Sequence, residues 1–195
     1  MATTVSVVIE GPSDEGAVRA ICRSVGLQIT ETFGRKGRRY IEKNIKNFNE
    51  AAKFSAWFVL IDLDKFHKCP GVFRRELLEM AQASLVFRIA VVELEAWLLA
   101  DREAAADFLG VSKAQITRDP EGLEYPKEYL IGLASRSRFR SIREGLVPRE
   151  GSGAHVGREY VSMINEYGER RWRPEVAAEA TPSLARCLEH LRSLS

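Results

Sequence analysis

Val5-Ser6-Val7-Val8-Ile9-Glu10-Gly11-Pro12-Ser13-Asp14-Glu15 begins as five residues without a charge and closes on three acids around a Gly-Pro break. The β-branched run suits a strand covered on both faces of a parallel sheet. Gly11-Pro12 ends the extension. Ser13 is placed to cap a helix whose apolar residues Val18, Ile21, Cys22 and Val25 recur at helical spacing as far as Gly26. A strand passing through a tight turn into a helix is the first half of an alternating pattern. It also delivers Glu10 to the carboxyl end of a strand, where a carboxylate is costly unless solvated or paired.

The pattern repeats outward from there. Leu27 to Thr32 reads as a short second strand, followed by the cationic loop Gly34-Arg35-Lys36-Gly37-Arg38-Arg39 and a helix over residues 40 to 53 with Ile41, Ile45 and Phe48 on one face. Residues 56–61 are the most continuous apolar run, and it ends in Asp62-Leu63-Asp64-Lys65. While that chain stays extended, Asp62 and Asp64 fall on the same side. Pro70-Gly71 then opens a helix marked by Phe73, Leu77 and Met80. The strand Leu85 to Val92 passes through Glu93-Leu94-Glu95 into an apolar helix containing Trp97, Leu98 and Leu99.

Strand and helix in alternation predict an α/β fold with a mostly parallel sheet flanked by helices, occupying residues 1–102. Beyond residue 102 the strand signal ends. Residues 104–109, 112–116, 127–135, 161–167 and 183–194 read as helices, so residues 103–195 form a helical C-terminal part packed on the sheet domain. A second basic stretch, Arg136, Arg138, Arg140, Arg143 and Arg149, lies within it.

Composition narrows the class without deciding the partner. With 45% hydrophobic and 29% charged residues in 195, the chain reads as globular, and a net charge of +2 neither demands nor excludes nucleic acid. Cys22, Cys69 and Cys187 are odd in number and lack CxxC spacing, which argues against a disulfide framework or a structural zinc and favours a reducing cytoplasm. No apolar run approaches the roughly 20 residues needed to span a bilayer. No signal peptide is evident.

The chemistry suggested by the acids follows from their place. In an open α/β sheet, ligands bind in the crevice outside the carboxyl ends of the strands. Glu10, Asp62 with Asp64, and Glu93 with Glu95 would all face that edge. Packed carboxylates repel and raise one another's pKa unless something positive sits among them. A hard divalent cation answers the need, since magnesium takes oxygen ligands and is held by few carboxylates plus substrate phosphates. A pair of such ions about 4 Å apart would support in-line phosphodiester displacement.

Each residue also has a plainer reading. Asp14 and Glu15 complement a helix dipole as readily as they bind metal, and one of Glu93 and Glu95 can serve only to cap the following helix. Lys65 and Lys127 either neutralise a phosphate or are ordinary surface lysines. The loop from Arg35 to Arg39 is a solvated turn or a contact to phosphates. His67 is isolated near the second acidic motif. The absence of GxGxxG after a strand and of GK[ST] removes the usual nucleotide fingerprints, and no serine sits in a nucleophile elbow.

Glu10-Gly11 after the first strand and Asp62-Leu63-Asp64 after a later one resemble the Toprim domain of topoisomerases, primases and overcoming-lysogenization-defect nucleases. The resemblance implies acid/base chemistry for Glu10 and magnesium binding for Asp62 and Asp64, with Asp14 and an acid after the third strand as further ligands of the nuclease branch. A closer likeness covers nearly the whole chain. Glu10-Gly11-Pro12-Ser13-Asp14-Glu15, Pro70-Gly71, Glu93-Leu94-Glu95-Ala96-Trp97, Asp119-Pro120-Glu121, Pro126-Lys127 and Pro182-Ser183 look like the bacterial domain-of-unknown-function family numbered forty-two seventy-six. That family is Toprim-like and often lies beside ATPases in gene sets resembling phage defence. Its second motif often keeps only the first aspartate, whereas this chain has both.

Together these readings predict a magnesium- or manganese-dependent nuclease acting on nucleic acid, with DNA ahead of RNA. Metal would be held by Asp14, Asp62, Asp64 and one of Glu93 or Glu95, with Glu10 as general base or further ligand. Arg35, Lys36, Arg38, Arg39, Lys65, Lys127, Arg138 and Arg140 would hold the substrate backbone. The alternative is a non-catalytic subunit that docks on an ATPase partner through the helical half. Hydrolysis of a small phosphorylated molecule would be favoured if the basic segments lay far from the acids.

Overall fold

The computed structural model describes residues 3–63 and 69–194, so Asp64, Lys65 and His67 lie outside the described residues. Among the described residues the sheet has four strands, β1 (Thr3–Ile9), β2 (Leu27–Gly34), β3 (Trp57–Asp62) and β4 (Leu85–Ala90). All pair in parallel, in the order β2-β1-β3-β4. Between them run α1 (Glu15–Ser24), α2 (Arg38–Ala51) and α3 (Pro70–Leu77). The remainder is helical: α4 (Leu94–Ala100), α5 (Arg102–Leu109), α6 (Pro126–Ala134), α7 (Arg140–Leu146), α8 (Tyr160–Arg170), α9 (Pro174–Ala178) and α10 (Pro182–Arg192). The expected α/β fold with a parallel sheet and a helical C-terminal part is therefore what the chain adopts. No described helix is long and apolar enough to cross a membrane.

Alternation along each strand divides the core. Val5, Val7 and Ile9 of β1 and Phe58 and Leu60 of β3 face a cluster shared with α1, α4, α8 and α10. Val8, Trp57, Val59 and Ile61 point the other way, onto Ile41, Ile45 and Phe48 of α2 and Phe73 of α3. The first cluster draws on both the sheet and the C-terminal helices, with Trp97 and Tyr167 among its largest fully buried side chains. Asp101 is fully buried beneath it, where it caps α5 through the Ala104 N–H (3.2 Å) and receives two bonds of 2.8 Å from the Arg173 guanidinium.

Several expected boundaries move for local reasons. Ser13 does not cap α1; residues 12–14 form a 3-10 turn, and Asp14 reaches back to accept from the Gly11 N–H at 2.7 Å. Helix α3 ends at Leu77, and Met80 is 80% exposed rather than part of a buried face. The fourth strand stops at Ala90, two residues short of Val92. The five-residue α9 was not anticipated, because Pro174 starts a segment too short to show a helical period.

Helix α1 meets α8 with almost no clearance. Asn165 of α8 accepts from the Gly16 N–H at 2.8 Å and donates to the Pro12 carbonyl at 2.8 Å. A Cβ on Gly16 would run into the Asn165 backbone, including its carbonyl oxygen. Alanine in a helix ordinarily gains up to about 1 kcal/mol over glycine, but overpacking against backbone costs about 1–3 kcal/mol. The clash should win. Gly16→Ala is expected to lower the urea midpoint of unfolding, and a raised midpoint would mean that α1 and α8 separate freely.

A carboxylate cluster at the strand-order reversal

From β1 the chain passes to β2 on one side, then returns past β1 to place β3 on the other. The carboxyl ends of β1 and β3 therefore flank the point where the strand order reverses, the position at which open α/β sheets form their ligand crevice. Glu10 follows β1, and Asp62 ends β3. The Glu10 carboxylate accepts from the Asp62 N–H at 3.3 Å, so parallel pairing alone brings the two acids together.

The remaining members arrive from helix starts. Asp62 Oδ1 accepts from the Leu94 N–H at 2.9 Å and so closes the N-terminus of α4. Glu95, one residue further on, is 3% exposed; it accepts from the Tyr160 hydroxyl at 2.7 Å and pairs with Lys127 Nζ at 3.4 Å. Lys127 stands at the start of α6, and its own N–H is held at 3.0 Å by the Glu93 carboxylate. Asp14 is anchored by Gly11 and by the Ser13 hydroxyl at 3.2 Å.

Electrostatics join these groups into one site. Burial, then the charges of Asp14, Glu95 and Glu10, push the Asp62 carboxyl well above the ordinary aspartate range, with Lys127 opposing. Burial likewise raises Asp14 from 3.8 to about 6, with Glu95 adding to the shift and the Gly11 and Lys127 contacts working against it. Glu93 is also raised, first by burial. Lys127 shows the complementary response: burial disfavours its charge, but Glu95, Glu93 and Asp62 together hold the ammonium above its usual range. Burial and the neighbouring Glu95 push the Tyr160 phenol upward too, keeping it a proton donor to that carboxylate.

Between the two acids after β4, the geometry distinguishes their roles. Glu95 is the one whose charge acts on Asp14 and Asp62, while the Glu93 carboxylate caps α6. Among the described residues, no three His, Cys, Asp or Glu side chains are arranged so that they could hold a metal ion as they stand. The donor set is nonetheless all oxygen and carries an excess of negative charge, which is the chemistry a hard cation takes. Asp14, Asp62, Glu95 and Glu10 are the residues able to supply it.

The two basic segments fall in different places. The Arg35 N–H bonds the Ile9 carbonyl at 2.9 Å and the Gly37 N–H bonds the Glu10 carbonyl at 3.0 Å, so the first segment lies at the acidic edge. Arg38 reaches the Leu63 carbonyl at 3.4 Å and pairs with Glu42 at 2.8 Å, while Arg35 pairs with Glu15 at 2.9 Å. Lys36 and Arg39 are exposed there, Lys36 over the Tyr40 ring. Arg138 and Arg140, by contrast, follow the far end of the nine-residue α6, which lies roughly 10 Å along the helix from Lys127. Arg138 lies over Phe139 and Arg140 pairs with Glu144 at 2.7 Å. That second segment is not brought to the acids, because α6 leads away from them.

Tyr160 and Asn165 were missed. Both sit in a helix whose sequence pattern marks only its core face, and nothing local to a tyrosine or asparagine announces a partner 65 or 149 residues away.

Raised carboxyl pKa values have a defined sign in stability. A group that binds its proton more tightly when folded stabilises the fold below its unfolded pKa, and that contribution is lost as pH rises through the folded value. For Asp14 the loss runs from about pH 4 to about pH 6, and Asp62 acts in the same direction. Metal-free protein should therefore gain stability from these groups on going from about pH 7 to about pH 5. Asp62→Asn keeps the acceptor for Leu94 and removes the charge, so it should stabilise the metal-free protein near neutrality and flatten that pH dependence. Thermal melts across the pH range check this; an unchanged slope would mean Asp62 is not crowded by its neighbours. Comparison with family models, with curated proteins and with solved structures gives no match to this chain.

Proposed function

We propose that the chain is a cytoplasmic, metal-dependent phosphodiesterase acting on nucleic acid, a Toprim-type nuclease whose substrate is DNA rather than RNA and which serves in phage defence. The observation that carries this reading is the convergence of Glu10, Asp14, Asp62 and Glu95 beside the strand-order reversal, with Lys127 held charged among them. Asp14, Asp62 and Glu95 would hold magnesium or manganese once their side chains turn toward a common point, and the ion would supply charge neutralisation at a phosphate. Glu10 is placed to take the proton from an attacking water, its carboxylate oriented by the Asp62 N–H. Lys127 offers its ammonium to the phosphate oxygens. Tyr160 fixes the Glu95 carboxylate from behind. Lys36 and Arg39, exposed at the same edge, hold the flanking backbone without reading sequence.

Plasmid nicking with magnesium or manganese tests the reading. Wild type should cleave, Glu10→Gln should lose at least about 100-fold in rate, as expected for removal of a general base, and Asp62→Asn should abolish the stabilisation that either ion gives. Metal-dependent cleavage surviving unchanged in both variants would overturn the assignment. Wild type that neither cleaves nor gains stability from millimolar metal would favour the docking subunit of an ATPase instead.

A further inference from the structure

Among the described residues strand β4 is an edge of the sheet, and a groove of about 190 Å³ runs along it, between Pro70, Gly71 and Arg74 of α3 and Ser183 and Arg186 of α10. Its floor is Phe87, Arg88, Ile89 and Val91. At several times the roughly 30 Å³ share of one water, it has room for a tetrahedral oxyanion. Three arginines line it, and none of the three has a carboxylate close enough to pair with among the described residues. Arg19, Arg35, Arg38, Arg140, Arg173 and Arg192, by contrast, each pair with a carboxylate within 4 Å.

Arg88 is the sharpest case. Its Nε is buried and has no hydrogen-bond partner among the described residues. An unsatisfied buried donor on a charged group costs more than the usual 1–3 kcal/mol of a neutral one. Burial, together with the charges of Arg74 and Arg186, also pulls its pKa below the arginine range, with Cys187 and Glu189 opposing, yet a guanidinium does not give up its proton in proteins. Ser183 does not answer the need, since its hydroxyl already donates to Glu121 and accepts from the Trp97 indole. Positive charge on an edge strand can serve only to repel other strands, but that duty calls for exposed heads and leaves the buried Nε unexplained.

We propose that Arg74, Arg88 and Arg186 form a phosphate-binding site at the β4 edge of the sheet. The buried Nε of Arg88 donates to one oxygen, and Arg74 and Arg186 close on the others from α3 and α10. The same chemistry serves inorganic phosphate or a phosphodiester of a nucleic-acid strand. Arg88 lies two residues before Ala90, the partner of Asp62 in the sheet, so an anion here sits about 7 Å along the strand from the acidic edge.

Calorimetric titration of metal-free protein with inorganic phosphate, against a chloride control, is the test. Wild type should bind with a millimolar Kd. Arg88→Met, which removes the buried charge, should weaken binding at least about tenfold while melting no lower than wild type. Arg74→Gln combined with Arg186→Gln should weaken it similarly. A parallel titration with a short single-stranded oligonucleotide separates the sources: a salt slope reduced by about one per arginine removed identifies a backbone phosphate, and unchanged oligonucleotide binding identifies the free anion. No phosphate binding by wild type, or equal binding by all variants, overturns the proposal. Because Glu10→Gln and Asp62→Asn leave these arginines untouched, the site stands or falls independently of the proposed hydrolysis.

Discussion

Crowded negative charge at the carboxyl edge of the sheet is the constraint around which the rest of the molecule is arranged. Parallel pairing forces β1 and β3 to end at the same level, and both end in acids. The fold accommodates the repulsion by feeding backbone donors into it: Asp62 closes the start of α4, Glu93 closes the start of α6, and Asp14 turns back onto Gly11. Asp62 does this structural duty through Oδ1, whereas Asp14 uses both oxygens, Oδ2 for the Gly11 N–H and Oδ1 for the Ser13 hydroxyl. Lys127 arrives on α6 because Glu93 fixes where that helix begins.

Such structural duty by the site's own acids explains why caps and ligands could not be told apart beforehand. An aspartate at a helix start is consistent with either role, and here Asp62 caps a helix 32 residues downstream rather than its own neighbour. The C-terminal helices are more than a shell around the sheet. Tyr160 sets the Glu95 carboxylate, Asn165 clasps the turn that carries Asp14, and Arg173 neutralises Asp101.

Much of the fold was legible where the periodicity was long and unmixed. Strands covered on both faces wrote themselves as apolar runs in Val5 to Ile9 and Trp57 to Ile61, and the acids after them stood out because a carboxylate there conflicts with its surroundings. Short elements such as α9 and the 3-10 turn at Pro12 left no period to read. The basic segments show the other limit. Charge runs look alike in sequence, but only topology sends Arg35 to Arg39 to the acidic edge and Arg138 and Arg140 to the far end of α6. Arg88 escaped notice because one arginine in an apolar strand, without its neighbours across the groove, has no pattern at all.

The clasp between Gly16 and Asn165 spans 149 residues of chain. Long-range contacts of this kind slow folding, since loop closure must precede the gain from the contact. A chain emerging from the ribosome therefore completes β1 and α1 long before the helix that seats them exists, and the Gly16 clasp waits for 149 further residues to be made. The turn that presents Asp14 is clasped only once α8 has been made, so the acidic cluster waits for that helix.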